Sequence, residues 1–377
     1  MTRRSPAAVR HVRLGLARGS RRLLYPLLAL DAGPQRQPSG IRFEAMRRIV
    51  VLRELYTLGD ALVATPAVRA LHRAYPDLEI GLVAGWRNAA VWRHNPALSR
   101  LFVLGAGVKP VRFAETARDV RAWGPDACLT LVSIRCHATL DMLARMSGAP
   151  VRIRYDAERF GGAHSNVAYN CIVPLRLPRE AHQIDVCSGV LQPFGVEVVD
   201  RSLELEPGPE AEERARQVLR AAEVEDATPF VVIHPGSKQV HNRWPLERFL
   251  EVREHCVRAG FRALLSFGPS EERARAWFVG SGVPAHDLLP PLAIEELAAL
   301  LRRARLLVCP DTGVLHVGAT TGVPIVGLYG SGDPAVWQPP GRIRAVSDHA
   351  RGNVRAIESA CVIREVEELI ACTAGPP

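Results

Sequence analysis

Short apolar runs alternating with amphipathic stretches, in two successive series, constrain this chain more than any other feature. Ile49–Leu52, Ile80–Ala84, Leu101–Leu104 and Ala127–Leu131 are too short for helices and lack polar alternation, so they read as strands buried on both faces. Helical patterns separate or follow them at Asp60–Tyr75, Val111–Trp123, His137–Met146 and His182–Phe194. A second series begins at Phe230–His234 and continues through Phe261–Phe267, Leu306–Cys309 and Ile325–Tyr329. Its helical patterns are Leu246–Ala259, Glu295–Arg302 and Val314–Thr320. Such alternation predicts parallel sheets covered by helices. Two series in 377 residues exceed what one core usually spans. The expected fold class is therefore α/β, with two Rossmann-like domains facing across a cleft and ligands at the carboxyl ends of the strands.

Polar, Pro-bearing stretches around Glu206–Pro209 and Glu225–Pro229 mark the expected hinge. The division that follows is an arm and linker over 1–45, an N-terminal domain over 46–205, a C-terminal domain over 225–345, and a tail with a helix over 346–377. Charge is concentrated in the first of these segments. Of the 48 Lys and Arg, eleven Arg fall in residues 1–48, against only Asp31 and Glu44 of the 39 acids. The remaining 37 bases meet 37 acids, so the folded body is neutral and offers no broad face to a phosphate backbone. No nucleic-acid partner is expected.

The longest uncharged run in the arm, Leu23–Leu30, is too short for the roughly 20 residues a membrane span needs. It also lacks the apolar core and cleavage site of a signal peptide. Val9, Val12, Leu16, Leu23, Leu24, Leu27 and Leu28 can share one helical face flanked by Arg. Residues 1–30 then suit the headgroup layer of an anionic membrane, the alternative being a disordered basic tail. The eight Cys include no C-x-x-C pair and no zinc spacing, and most sit in apolar runs. Reduced core thiols follow, and with them a cytoplasmic protein, peripheral on the inner face of the membrane.

Several familiar sites are absent. There is no G-x-G-x-x-G after a strand and no G-x-x-x-x-G-K-[ST], which disfavours a dinucleotide dehydrogenase and a P-loop enzyme. No Asp-x-Asp occurs to hold a divalent ion on a sugar nucleotide. Four loops at expected strand ends carry chemistry instead. Arg53-Glu54-Leu55-Tyr56-Thr57-Leu58-Gly59-Asp60 sets a carboxylate at a helix start, where Asp60 is either a functional group or an N-cap. His234-Pro235-Gly236-Ser237-Lys238 combines a Gly turn, a hydroxyl and a cation, which suits oxygen-rich anions. Gly268-Pro269-Ser270-Glu271-Glu272 offers carboxylates for a ribose diol or simply for a helix N-terminus. Cys309-Pro310-Asp311-Thr312-Gly313-Val314-Leu315-His316 opens a helix whose free N–H groups suit a diphosphate.

Taken in order, these loops resemble glycosyltransferase family 9, the lipopolysaccharide heptosyltransferases. The resemblance runs from about Arg47 to Trp337, with a last helix near Val362–Ile370. It rests on Ile49–Arg53, Leu58-Gly59-Asp60 and Thr65-Pro66-Ala67, then His234–Ser237, Arg243-Trp244-Pro245, Asp311–Gly313 with His316, Leu328–Gly330 and Asp333-Pro334. It implies a GT-B fold, a metal-independent inverting mechanism with no cofactor, and a nucleotide-sugar donor, typically ADP-heptose. The acceptor implied is a lipopolysaccharide core or a similar glycolipid.

By position, the resemblance assigns Asp60 as catalytic base, which takes the acceptor proton as the oxygen attacks the anomeric carbon. Gly236 and Ser237 match the loop beside the donor phosphates. Asp311, Thr312, Gly313 and His316 match the diphosphate motif, whose helix would stabilise departing ADP. Glu271 or Glu272 matches the ribose ligand, and spacing does not choose between them. Leu292 matches an apolar position lining the base. Where the family usually has Lys, two residues before Trp-Pro, this chain has Asn242; Lys238 is the nearest cation expected to replace its charge, and Arg243 the next. Two alternatives remain at this level: a GT-B transferase for another sugar nucleotide, and an inactive relative that binds at the membrane.

Overall fold

The computed structural model describes residues 25–26, 28, 33–53, 57–105, 110–131, 137–160, 163–225, 227–330, 332–348 and 352–373. Two all-parallel sheets organise them. The first comprises β1 (Arg48–Leu52), β2 (Glu79–Gly85), β3 (Arg100–Leu104), β4 (Ala127–Thr130), β5 (Val151–Tyr155) and β6 (Cys171–Val173), in the order β3-β2-β1-β4-β5-β6. The second comprises β7 (Phe230–Ile233), β8 (Arg262–Leu265), β9 (Leu306–Pro310), β10 (Ile325–Tyr329) and β11 (Ile343–Ser347), in the order β11-β10-β9-β7-β8. Ile49 stands opposite both Ile80 and Ala127, and Val232 stands between Leu264 and Leu307. Past Arg48 the central strands are buried along their length, which is why their sequences are uncharged and mostly apolar.

This strand order dictates where a ligand can sit. The chain moves outward from β1 to β3, then returns to place β4 on the other side of β1. In the second sheet it moves from β7 to β8, then returns to place β9 beside β7. Loops leaving β1 and β4, or β7 and β9, diverge, and each divergence opens a crevice at the carboxyl ends of the strands. The Arg53–Asp60 loop leaves β1. The loops of Gly236 and of Asp311 leave β7 and β9.

Several elements depart from expectation. The single helix expected over Asp60–Tyr75 is two, Leu58–Val63 and Thr65–Ala74, because Pro66 near the start of the second cannot donate to the first. His182–Phe194 is an α-helix only over Gln183–Ser188 and tightens into a 3-10 turn holding Pro193. The expected hinge contains a helix, Pro209–Ala221, with Pro209 at its first position, packed on the helix Ile294–Leu301. The helix Ser359–Thr373, expected in a tail, contributes Val362, Val366 and Leu369 to the second domain's core. Strands β5, β6 and β11 and the helix Glu272–Gly280 carry no clear signal of their own in the sequence.

Strand β5 reads Val-Arg-Ile-Arg-Tyr, yet all five residues are buried. Arg152 donates from Nε to the Ala168 carbonyl and from Nη1 to the Ala149 carbonyl. Arg154 pairs with Asp141 at 3.0 Å, both side chains being 1% exposed. Asp141 also accepts from Tyr169 (3.1 Å), Ser165 (2.7 Å) and Tyr25 (2.8 Å). A buried ion pair is tolerable only when its remaining lone pairs are satisfied in this way.

Tyr25 belongs to the N-terminal arm. Its ring and Leu28 are buried on the first domain, and Arg145 donates to the Leu28 carbonyl. Apart from Tyr25, Pro26 and Leu28, the membrane-surface segment expected over residues 1–30 lies outside the described residues. No described helix is long and apolar enough to cross a membrane. Five of the Cys (128, 171, 187, 256 and 309) are buried free thiols, and burial pushes Cys128 up to about 12.

Candidate active site

The two domains touch through the loops at their switch points. The helix Leu58–Val63 meets the helix Gly313–Ala319, and glycines set the distance between them. A Cβ on Gly59 would lie 3.0 Å from His316 Cδ2, and one on Gly313 would lie 3.1 Å from Leu58. A side chain at either position would require His316 or Leu58 to shift by a few tenths of an ångström. Asp60 and His316 are thereby brought together across the cleft, close enough that the carboxylate's charge acts on the ring.

Asp60 occupies the third position of its helix, and Thr57 is the capping residue, so the N-cap expectation for Asp60 is corrected. Its carboxylate accepts from the Thr57 hydroxyl and stands 3.7 Å from Arg53 Nη2. Arg53, 2% exposed, also donates to the Asp60 carbonyl at 2.9 Å and the Leu131 carbonyl at 3.2 Å. It thus ties the loop after β1 to the loop after β4. The orientation of Asp60 is built from two sides, although only its own loop residues are adjacent in sequence.

His316 is buried, and burial drives its ring down to about 4, opposed by the Asp60 charge and reinforced by His182. It is a neutral ring at neutral pH, with Nδ1 lacking a hydrogen-bond partner. The Thr312 and Tyr329 hydroxyls and Asn242 Oδ1 are likewise buried without partners. Native interiors rarely leave such atoms unsatisfied, and ordered water, an ion or a polar ligand can supply the missing partners. Asp311 lies among them, its carboxyl raised to about 6 by burial, with His241 opposing.

A cavity of about 760 Å³ is lined by Gly236, Ser237, Arg243, Trp244, Ser270, Glu271, Arg273, Trp277 and Arg355, among others, and by none of Asp60, Asn242, Asp311, Thr312, His316 or Tyr329. Glu271 bridges two loops. Its Oε2 accepts from the Gly268 N–H at 2.6 Å and stands 3.8 Å from His234 Nε2. Its carboxylate fills the place a Cβ on Gly236 would take, at about 1.9 Å, so a side chain there would displace Glu271. Burial lowers the His234 pKa, against the pull of Glu271 and a bond to Ser266. Glu272 is exposed at the start of the helix Glu272–Gly280 and does not line the cavity, whereas Glu271 does.

Of the two cations, Arg243 lines the cavity and donates to the Ser237 carbonyl at 2.9 Å. Lys238 is exposed and does not line it. Asn242 is buried, and its amide donates to the Asp311 carbonyl at 3.0 Å. Consecutive residues Asn242 and Arg243 therefore brace the loops after β9 and β7. Leu292 is half-buried against the main core and does not line the cavity.

Contacts across the cleft were not foreseeable. Arg93 pairs with Glu295 at 2.7 Å, and His182 Nε2 lies 2.8 Å from the Gln338 carbonyl. The Ile184 N–H donates to His182 Nδ1, so Nε2 carries the proton and donates across the cleft. Nothing in the residues around His182 signals this.

Residues 141–366 match the family model for glycosyltransferase family 9 (heptosyltransferase), a span that begins beyond Asp60. The chain is 25% identical over 290 residues to lipopolysaccharide heptosyltransferase 3 of Escherichia coli, covering 74% of this chain and 83% of the relative. It is 27% identical to lipopolysaccharide heptosyltransferase 1 of Pseudomonas aeruginosa over 39% of this chain and 41% of that one. Among solved structures, the glycosyl transferase family 9 from Veillonella parvula superposes with a TM-score of 0.75 at 24% identity, covering 88% of this chain and 99% of that chain. The Escherichia coli ADP-heptose lipopolysaccharide heptosyltransferase II gives a TM-score of 0.69 at 16% identity, with 87% and 100% covered. A more distant likeness, TM-score 0.55 at 14% identity with 89% and 78% covered, is to the iron-containing dodecameric glycosyltransferase TibC of enterotoxigenic Escherichia coli.

Proposed function

The chain belongs to glycosyltransferase family 9, and from that premise we propose that it transfers heptose from ADP-heptose onto a lipopolysaccharide core or similar glycolipid, with inversion at the anomeric carbon. The observation that carries the reading is the meeting of Asp60 with the Asp311–His316 segment at the switch points of both sheets. In this reading Asp60 removes the acceptor proton while Arg53 and Thr57 hold its carboxylate in line. The donor diphosphate lies between the loops of Ser237 and Asp311, where buried hydroxyls lack partners. Glu271 receives the ribose diol. Arg243, braced on the Ser237 carbonyl, supplies charge to the phosphates.

The decisive test is a donor panel. Mass spectrometry of products from crude glycolipid should detect a heptose increment with ADP-heptose and none with UDP- or GDP-sugars. A different sugar increment would replace the donor assignment. Because the sequence has no Asp-x-Asp, turnover should persist in excess EDTA. The resemblance to an iron-containing enzyme makes this arm informative, since a loss restored by one metal would require that ion in the mechanism.

Two further outcomes are expected. Arg243→Ala should weaken ADP-sugar binding about tenfold, the scale of one charge-assisted hydrogen bond at a partly exposed site. Lys238→Ala should leave titrated affinity nearly unchanged, and a reversed ranking would assign the phosphates to Lys238. The acceptor is membrane-embedded, and the basic arm holds the enzyme at the cytoplasmic face. Deleting residues 1–24, which retains the Tyr25 anchor, should therefore reduce co-sedimentation with anionic vesicles at each Arg's contribution of about 1 kcal/mol. Equal sedimentation of truncated and full-length protein would make the arm a tail without that role.

A further inference from the structure

Asp311 is a half-buried carboxyl without a side-chain partner among the described residues. Its backbone N–H donates to the Leu328 carbonyl and its carbonyl accepts from Asn242, but its side chain has no hydrogen bond or ion pair with any described residue. Gly332 packs so close that a Cβ there would come within 2.5 Å of Asp311 Oδ2. The titratable groups on the elements around it are few. They are His241 from the turn Val240–Asn242, Cys309 from β9, Tyr329 from β10, Asp333 past Gly332, His316 on the helix Gly313–Ala319, and Asp60 across the cleft. Burial keeps Cys309 and Tyr329 protonated and His316 neutral. Exposed His241 is the one described group whose charge favours ionised Asp311, and burial outweighs it.

A donor diphosphate brings two more negative charges to this loop. Asn242 is neutral, and the unpartnered hydroxyls of Thr312 and Tyr329 can donate hydrogen bonds but carry no charge. Like charges sharing a half-buried site cannot all remain ionised. We infer that donor binding takes up one proton on Asp311: ionised in the free protein at neutral pH, the carboxyl is protonated in the complex and donates to a phosphate oxygen. This rests on the diphosphate reading above. The proton supplies the positive charge that a lysine at position 242 would carry.

The sign follows from linkage. Because the protonated form binds better, affinity rises as pH falls and levels off below the free carboxyl's midpoint near 6. Above that midpoint Kd should rise about tenfold per pH unit until the bound carboxyl also ionises. ADP-glucose is the probe, because its diphosphate diester does not titrate across the range used. Calorimetry at pH 7 in buffers of different ionisation enthalpy should give an uptake of about 0.5–0.9 proton per ADP-glucose. Asp311→Asn should bind with no uptake and a pH-independent Kd, and Asn242→Lys should also abolish the uptake by supplying the charge directly. Measurable binding without uptake overturns the inference, as does uptake that survives in Asp311→Asn, which would assign the proton to His316 or His241. Failure of ADP-glucose and ADP to bind at any pH would instead remove the donor reading, and the inference with it.

Discussion

Asp60→Asn is expected to lose transfer almost completely while the protein folds normally and binds ADP-sugar nearly as before. Removing a general base costs about 100- to 10,000-fold in rate. The substitution is close to isosteric, and the asparagine carbonyl can still accept from the Thr57 hydroxyl. Arg53 keeps its bonds to the Asp60 and Leu131 carbonyls, so the loop should hold its shape. The helix Leu58–Val63 starts from Thr57, whose hydroxyl keeps an acceptor in the asparagine. The prediction therefore separates chemistry from architecture. Product mass over time should fall by at least two orders of magnitude, while the melting temperature and the donor affinity stay close to those of the parent. Near-normal turnover would mean that the base lies elsewhere.

The second large effect concerns stability. Asp141→Ala removes the carboxylate that pairs with the Arg154 guanidinium in the first domain's interior. Breaking one side of a buried pair costs about 3–5 kcal/mol. At roughly 2–4 °C per kcal/mol for a domain of this size, the melting temperature should fall by about 6–20 °C. The double variant Asp141→Leu with Arg154→Met should recover much of the loss, because well-packed apolar groups replace such pairs at little cost. Tyr25→Phe removes one donor to the same carboxylate and should cost less than losing the pair. It should also loosen the arm, read as faster proteolysis ahead of residue 33. A single variant Asp141→Ala as stable as the parent would mean that water reaches Arg154 and the site is not closed.

Much of the fold was legible in the sequence because its central strands have one reading. Runs such as Ile49–Leu52 and Phe230–Ile233 carry no charge and no helical period, so only burial between two helical layers suits them. The four loops could be found for the same reason: each begins where such a run ends. Strand β5 escaped because Arg152 and Arg154 look exposed until their carbonyl and carboxylate partners are known. Those partners lie in separate segments, and no local pattern announces them.

The site divides along the same line. The sequence by itself determined the chemical groups available at each strand end: a carboxylate after β1, a Gly-Ser turn after β7, and an Asp-Thr-Gly segment after β9. Tertiary structure alone decided which of them act together. Strand order put the loops after β1 and β9 at switch points, and the missing side chains of Gly59 and Gly313 let those loops touch. It folded the Glu271 carboxylate onto Gly236 and braced Arg243 on Ser237, while Glu272 and Lys238 remained exposed. Residue type is a local property, whereas distance, burial and the charge state that burial imposes on Asp311 and His316 depend on what the rest of the chain packs around them.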